Sequence, residues 1–166
     1  RLRSRGLGDV YKRQLQLLQF KVGLLGDLRH RRRGIVRHLN EYCDFLGEYL
    51  GSGLAEGRVA QIQRQQYARL LARRCEREDT LELRIRYATA LADVGQIDEA
   101  QAVTDQLVLD VPDEQEVWML CLRLAVMRRD GDEVHRVIDA IDKQHVYLSA
   151  DNREKLAFWR DGEEAR

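Results

Sequence analysis

One segment of the sequence, residues 81–112, constrains the fold more than any other. Its apolar residues recur at three- and four-residue steps on both sides of Gly95, which is the spacing of two amphipathic helices. The two stripes consist of Leu83, Tyr87, Leu91 and Val94, and of Ala100, Val103, Leu107 and Val108. Asp98 and Glu99 suit the positive N-terminal end of the second helix, and Pro112 ends it. The segment therefore predicts an antiparallel pair of helices.

The composition agrees with an all-α chain. The 166 residues are 44% hydrophobic and 34% charged, and Leu, Ala, Arg, Glu, Asp and Gln dominate. One proline, 12 glycines and 7% aromatic residues are too few for the turns and strands of a β-sandwich or barrel. Three cysteines, none in a C-x-x-C pair, argue against a disulfide-stapled secreted fold or a zinc module.

The first fourteen residues are expected to lie outside the folding unit. Residues 9–14, DVYKRQ, resemble the translation of a transposon-end adapter used in sequencing libraries, so residues 1–14 are interpreted as a read-through tail. The alternative is a natural basic N-terminal tail. Without these residues, which hold five basic and one acidic side chain, the net charge falls from 0 to −4. That charge argues against nucleic acid as the partner, because nucleic-acid binding needs a clustered basic surface.

A basic cluster at residues 29–33, with Arg37 beyond it, follows an apolar run at residues 15–28. The favoured interpretation is a core-facing helix followed by a solvated, basic helix start, since charge runs usually lie on solvated faces. A phosphate-binding patch and a juxtamembrane patch behind a truncated membrane segment are the alternatives. The run contains two glutamines and a lysine and is shorter than the ~20 apolar residues of a span. Membrane association would therefore depend on upstream sequence.

Helical spacing also covers residues 30–50 and about 54–77, with Gly51-Ser52-Gly53 between them. The apolar stripe of the first helix consists of Ile35, Leu39, Tyr42, Leu46 and Tyr49. A thinner stripe on the second helix consists of Val59, Ile62, Leu70, Leu71 and Cys75. The two helices are expected to be antiparallel.

The segment 81–112 resembles a tetratricopeptide repeat (TPR), a 34-residue unit with the pattern W-x2-L-G-x2-Y, then A-x3-F, then P. The pattern falls on Arg84, Tyr87, Ala88, Leu91, Ala100, Thr104 and Pro112. Ala88 and Ala100 are small enough to let the two helices approach closely. Arg84 and Thr104 replace large apolar residues, which predicts looser packing at those corners.

A shift of 34 residues identifies a degenerate second repeat at residues 115–146. Trp118 falls at the tryptophan of the pattern, and the other matching positions are Cys121, Leu122, Ala125, Val134, Ile138 and Ile141. Beyond it, a helix from Ser149 has Leu156 and Trp159 as its apolar edge and is expected to close the array.

We therefore predict an all-α fold, an α-α superhelix of antiparallel helix pairs similar to TPR proteins. The expected organisation is a tail at 1–14, N-terminal helices at 15–78 that pack onto the array, two repeats at 79–146, and a closing helix with a frayed tail at 147–166. An irregular helical bundle is the alternative fold, because the same periodicity permits it.

No motif of the sequence indicates catalysis. There is no nucleophile elbow, zinc-protease motif or glycine-rich phosphate loop. The histidines, His30, His38, His135 and His145, lack the spacing of metal ligands. Cys43, Cys75 and Cys121 lie near apolar stripes, where small buried thiols are the usual case. We expect neither a catalytic site nor a cofactor or metal.

The resemblance implies a protein–protein interaction scaffold that binds its partner on a concave surface lined by the first helix of each pair. We call this surface the inner face and place on it Glu82, Ile85, Thr89, Asp93, Glu116, Met119, Arg123 and Met127. It is mixed acidic and apolar, which predicts a basic or amphipathic protein or peptide as the partner, in the cytoplasm. It lacks the Lys/Asn cluster of the carboxylate-clamp members of the family.

A second hypothesis makes the chain a regulatory or assembly segment of a larger membrane-anchored or signalling protein, truncated at its N-terminus. The apolar run at residues 15–28 and the basic cluster after it motivate this hypothesis.

Overall fold

The computed structural model describes residues 32–53 and 57–164, and within these ranges it contains seven α-helices and no strand. The helices are α1 (Arg32–Gly51), α2 (Gly57–Cys75), α3 (Leu81–Asp93), α4 (Ile97–Asp110), α5 (Gln115–Arg128), α6 (Gly131–Lys143) and α7 (Ala150–Glu164). The all-α prediction is confirmed. The tail at 1–14, the apolar run at 15–28 and most of the basic cluster lie outside the described residues.

The chain divides into two compact units, Arg1–Arg74 and Cys75–Arg166. In the first unit, α1 and α2 approach closely at Gly47, where an added Cβ would lie 2.7 Å from the hydroxyl oxygen of Tyr67. An ion pair between Arg74 and Asp44, 2.8 Å from nitrogen to oxygen, joins the same two helices. The packing of this unit onto the repeat array stays a prediction.

The predicted apolar stripe of α2 is wrong at its N-terminal end. Val59 and Ile62 are 62% and 49% exposed, whereas Ala60 and Ala68 are buried. Ala60 packs in one cluster with Tyr49 of α1. Small side chains thus face the closely packed partner helix, and the larger β-branched residues lie on the surface.

The second unit begins with the predicted helix pair, α3 and α4. Thr80 caps α3 by accepting a hydrogen bond from the backbone amide of Leu83 at 3.3 Å. Gly95 makes the turn with φ of +81°, a left-handed conformation that costs glycine little. Helix α4 begins at Ile97 and ends at Asp110, just before Pro112. The pair and its turn are therefore placed as the periodicity predicted.

Packing inside this pair is tighter than its sequence suggested. Ala88 and Ala100 have no exposed surface, as expected for the closest approach of the two helices. Thr104, predicted to loosen one corner, is also fully buried, because its hydroxyl donates to the carbonyl of Ala100 at 2.7 Å and needs no other partner. Arg84 pairs with Asp110 of α4 at 2.6 Å, so an ion pair joins the helices at the other corner.

The second pair, α5 and α6, repeats this arrangement. The Trp118 indole nitrogen donates to the carbonyl of Pro112 at 2.7 Å, and its side chain is only 5% exposed. Asp130 caps α6 through the amide of Glu133 at 3.0 Å. Helix α5 packs against α3, α4 and α6, so two hydrophobic clusters meet on it.

Helix α7 closes the C-terminal end of the described array. Leu156 is buried in the cluster formed by α5 and α6, and Trp159 packs against that cluster, as predicted for the apolar edge. The side-chain oxygen of Gln115, at the start of α5, accepts from the amide of Ser149 at 2.9 Å and from Asn152 at 3.1 Å. These bonds place the N-terminus of α7 beside the N-terminus of α5.

Candidate interaction surface

Helix α5 is buried on nearly every side and exposes only one narrow stripe. Between Val117 and Ala125, every residue except Met119 and Arg123 is buried. Glu116 before this stretch and Met127 after it are exposed at the same helical spacing. The four residues that the sequence placed on the inner face of α5 thus form a continuous strip.

Helix α3 presents a more polar strip, which the ion pair between Asp93 and Arg123 connects to that of α5. Glu82 and Asp93 are exposed at its two ends. Ile85 is half-buried and packs against the hydrophobic cluster of the first pair. The hydroxyl of Thr89 donates to the carbonyl of Ile85 at 2.9 Å, so its hydrogen-bonding capacity is partly used inside the helix.

The charges of the inner face are more balanced than the sequence indicated. Asp93 forms an ion pair with Arg123, 2.5 Å from oxygen to nitrogen, which joins α3 to α5. Glu82 pairs with Arg86 one turn later at 2.7 Å. The third carboxylate, Glu116, is exposed at the start of α5. The sequence placed Asp93 and Arg123 on one surface but did not predict that they neutralise each other.

A second ion pair also joins α5 to the first helix pair. Arg128, at the end of α5, contacts Asp98 in the first turn of α4 at 2.7 Å. Both pairs are partly exposed to solvent, and exposed ion pairs contribute only about 0–1 kcal/mol each. Each pair joins α5 to one helix of the first pair, through Asp93 of α3 or Asp98 of α4, and adds little stability.

The apolar part of the strip consists of two methionines. Met119 is half-buried and packs against the cluster of the second helix pair, whereas Met127 is 41% exposed. Unbranched, polarisable methionine side chains adapt to varied apolar surfaces. The strip therefore offers a small, adaptable apolar contact between charged groups.

The described residues contain no group of histidine, cysteine or carboxylate side chains arranged to hold a metal ion. His38 lies 3.2 Å from Glu41 through its Nδ1 atom, and His30 lies outside the described residues. Burial raises the pKa of the Cys121 thiol to about 12, so this thiol stays protonated and poorly nucleophilic at neutral pH. Cys43 is buried, and Cys75 is half-buried.

None of the described helices is both long enough and apolar enough to cross a membrane. The hypothesis of a membrane-anchored or signalling protein stays a prediction.

The sequence analysis did not single out Phe158 of α7, an aromatic residue that is 69% exposed. Its ring packs edge-to-face against that of the neighbouring Trp159, with 5.6 Å between ring centroids. Its spacing from Glu154 and Asp151, at three- and four-residue steps, is the signal that assigns these residues to one flank of the helix.

Comparison with known families finds that residues 54–124 match the model described as tetratricopeptide repeat. The match includes the predicted repeat at 81–112 and also α2, which the sequence pattern had left outside the repeats. The degenerate second repeat at 115–146 lies mostly beyond the matched range. No significant match is found among curated proteins or among solved structures.

Proposed function

The chain is a TPR-like helical-repeat protein, and from this premise we propose that it is a non-catalytic scaffold that binds a partner protein or peptide on the inner face. Stacked helix pairs present an extended surface along their first helices, and repeat proteins commonly use that surface for binding. The exposed strip of α5 carries the proposal, since the rest of this helix is committed to the core.

The chemistry of the inner face favours a basic or amphipathic partner. Glu116 supplies an exposed carboxylate, and Met119 and Met127 supply adaptable apolar contacts. Carboxylates at such a surface steer a cationic partner and fix its register more than they add affinity. Because Asp93 is paired with Arg123, its contribution to this steering is smaller than that of Glu116.

A photo-crosslinking residue placed at position 116 or 127 tests the proposal in the source cell. Matched positions on the second helices, Gln106 of α4 and Asp139 of α6, are exposed and serve as controls. We expect a discrete covalent partner from the inner-face positions and none from the controls. The same adduct from all four positions, or from the controls alone, would show that binding does not use the inner face.

The purified partner then allows a charge test. Glu116→Lys should slow association and flatten its dependence on salt, because it removes the steering carboxylate without breaking an interhelical pair. Asp139→Lys, at an exposed position of the second helix α6, is the control for a change of equal charge. Equal affinities and equal salt slopes for both variants would contradict the proposal.

A further inference from the structure

Helix α2 is the most basic of the described helices. Its 19 residues include five arginines and neither aspartate nor glutamate, whereas each of the other described helices has at least one carboxylate. Arg74 pairs with Asp44 of α1. Among the described residues, no carboxylate pairs with Arg58, Arg69 or Arg73. These three arginines are therefore free to attract carboxylates of another molecule.

The same three arginines lie on one face of α2. We call this the basic face, and it consists of Arg58, Ile62, Gln65, Arg69 and Arg73. These residues follow one another at steps of three and four, so they share roughly 80° of the helix circumference over a length of about 22 Å. All five are exposed, and the buried residues of α2 lie on the other side of the helix.

The pairing of arginines in the second unit provides a contrast. Six of its arginines form ion pairs with carboxylates of the chain, namely Arg84, Arg86, Arg123, Arg128, Arg136 and Arg160. Their charge is partly neutralised by these partners. The charge of the basic face has no such partner among the described residues, and it is concentrated on a single helix.

Two exposed aliphatic side chains accompany the charges at the N-terminal end of α2. Val59 and Ile62 are 62% and 49% exposed. A phosphate backbone has no apolar group to cover them. Two aliphatic side chains without an aromatic neighbour are also far less than the apolar face with which a helix binds a membrane surface. The combination of arginine and aliphatic side chains favours a protein segment over nucleic acid or lipid.

We propose that the basic face of α2 is a second docking surface, and that its partner is an acidic, amphipathic helical segment of another protein. The planar guanidinium groups of arginine bind carboxylates through two parallel hydrogen bonds. A helical segment can present carboxylates at the same three- and four-residue steps as the arginines. An apolar side chain of that segment packs on Ile62.

This inference goes beyond the proposed function, because it concerns another surface and a partner of the opposite charge. The inner face, with the exposed carboxylate of Glu116, favours a basic partner. The basic face repels such a partner and attracts an acidic one. A chain with both surfaces joins an acidic protein to a basic one.

Fluorescence anisotropy of a labelled helical peptide, with Leu on one face and Glu beside it, tests this inference on the full chain. Arg69→Glu should raise the Kd about tenfold or more, because it places like charges opposite each other. It should also flatten the dependence of the Kd on salt. Arg153→Glu, at an exposed arginine of α7, makes the same change of charge and is the matched control.

The control variant should leave the Kd nearly unchanged, and both variants should keep the melting temperature of the parent chain. Equal weakening by Arg69→Glu and Arg153→Glu would overturn the inference, since it would show attraction by the total charge alone. A parent chain that does not bind the peptide would overturn it as well.

A second substitution tests the apolar contact. Ile62→Ser should raise the Kd of the Leu peptide about fivefold, because it removes apolar surface from the contact. A peptide with Ser in place of Leu should bind the parent chain and the Ile62→Ser variant equally. An effect of Ile62→Ser that is the same for both peptides would overturn the apolar contact.

Two measurements test the other possible occupants of the basic face. Tighter binding of a labelled RNA or DNA oligonucleotide than of the Glu peptide, lost in Arg69→Glu, would overturn the inference in favour of nucleic acid. Self-association in sedimentation velocity, lost in the same variant, would also overturn it. The carboxylates of a second copy would then occupy the basic face.

A peptide with Lys in place of Glu separates failure of this inference from failure of the proposed function. Glu116→Lys should weaken binding of the Lys peptide and leave that of the Glu peptide unchanged. If the Lys peptide responds in this way but the Glu peptide does not respond to Arg69→Glu, the inference is wrong and the proposed function stands. The opposite result leaves the inference standing and contradicts the proposed function.

Discussion

Replacing Ala100 by Phe tests the closest helix approach in the repeat array. Ala100 has no exposed surface and lies in one cluster with Ala88, Leu91 and Leu107. Adding even a methylene or two to a well-packed core costs ~1–3 kcal/mol, and a phenyl ring adds more volume than that. We expect a loss of about 3 kcal/mol or more in the free energy of unfolding.

The matched control is the same substitution two residues later on the same helix. Ala102 is exposed, so Ala102→Phe should cost only the lower helix propensity of Phe, roughly 0.5 kcal/mol. Both variants carry that propensity term, so their difference isolates packing. Gln101, which sequence reasoning took as exposed, is half-buried and bonds to Asp105, and it is therefore a poorer control.

Tryptophan fluorescence during urea unfolding measures the stability of the compact unit that contains Ala100. The chain has two tryptophans, and both, Trp118 and Trp159, lie in the unit Cys75–Arg166. For a unit of this size, a loss of ~3 kcal/mol should lower the melting temperature by roughly 12–24 °C. Equal losses at Ala100 and Ala102, or tolerance of Phe at both, would refute the assigned packing of α4 on α3.

Three further perturbations have expected outcomes. Gly47→Ala should destabilise the first unit by about 1 kcal/mol because its Cβ would lie 2.7 Å from the Tyr67 hydroxyl. Tyr67→Phe should relieve that loss in the double variant, and thermal melting by circular dichroism checks both. Trp118→Phe should cost on the order of 1–2 kcal/mol in urea unfolding, since the carbonyl of Pro112 loses its donor. Cys121 should resist alkylation in the native chain. Because burial raises the pKa of this thiol in the folded chain from 9.0 to about 12, the stability that the protonated thiol contributes should be fully present below pH 9. That stability should be lost as the pH rises from 9 towards 12. Rapid native-state alkylation at neutral pH would contradict this burial.

The sequence by itself determined the helices of the repeat array and most of their buried faces. A helix buries residues at a fixed angular period, so the stripes on α3 and α4 could be assigned without a partner. Gly95 and Pro112 marked the turn and the end of the pair because their backbone preferences are local. The exposed residues of α5 are those that lie outside its buried stripe. The sequence could therefore name the candidate residues of the inner face on this helix.

Only the tertiary structure decided which of these residues meet. The Asp93–Arg123 pair and the burial of Thr104 depend on the rotation and distance of one helix relative to another. The period within a single helix leaves that rotation undetermined. Local periodicity fixes what a helix buries, whereas interhelical packing fixes the neighbours and charges of what it leaves exposed.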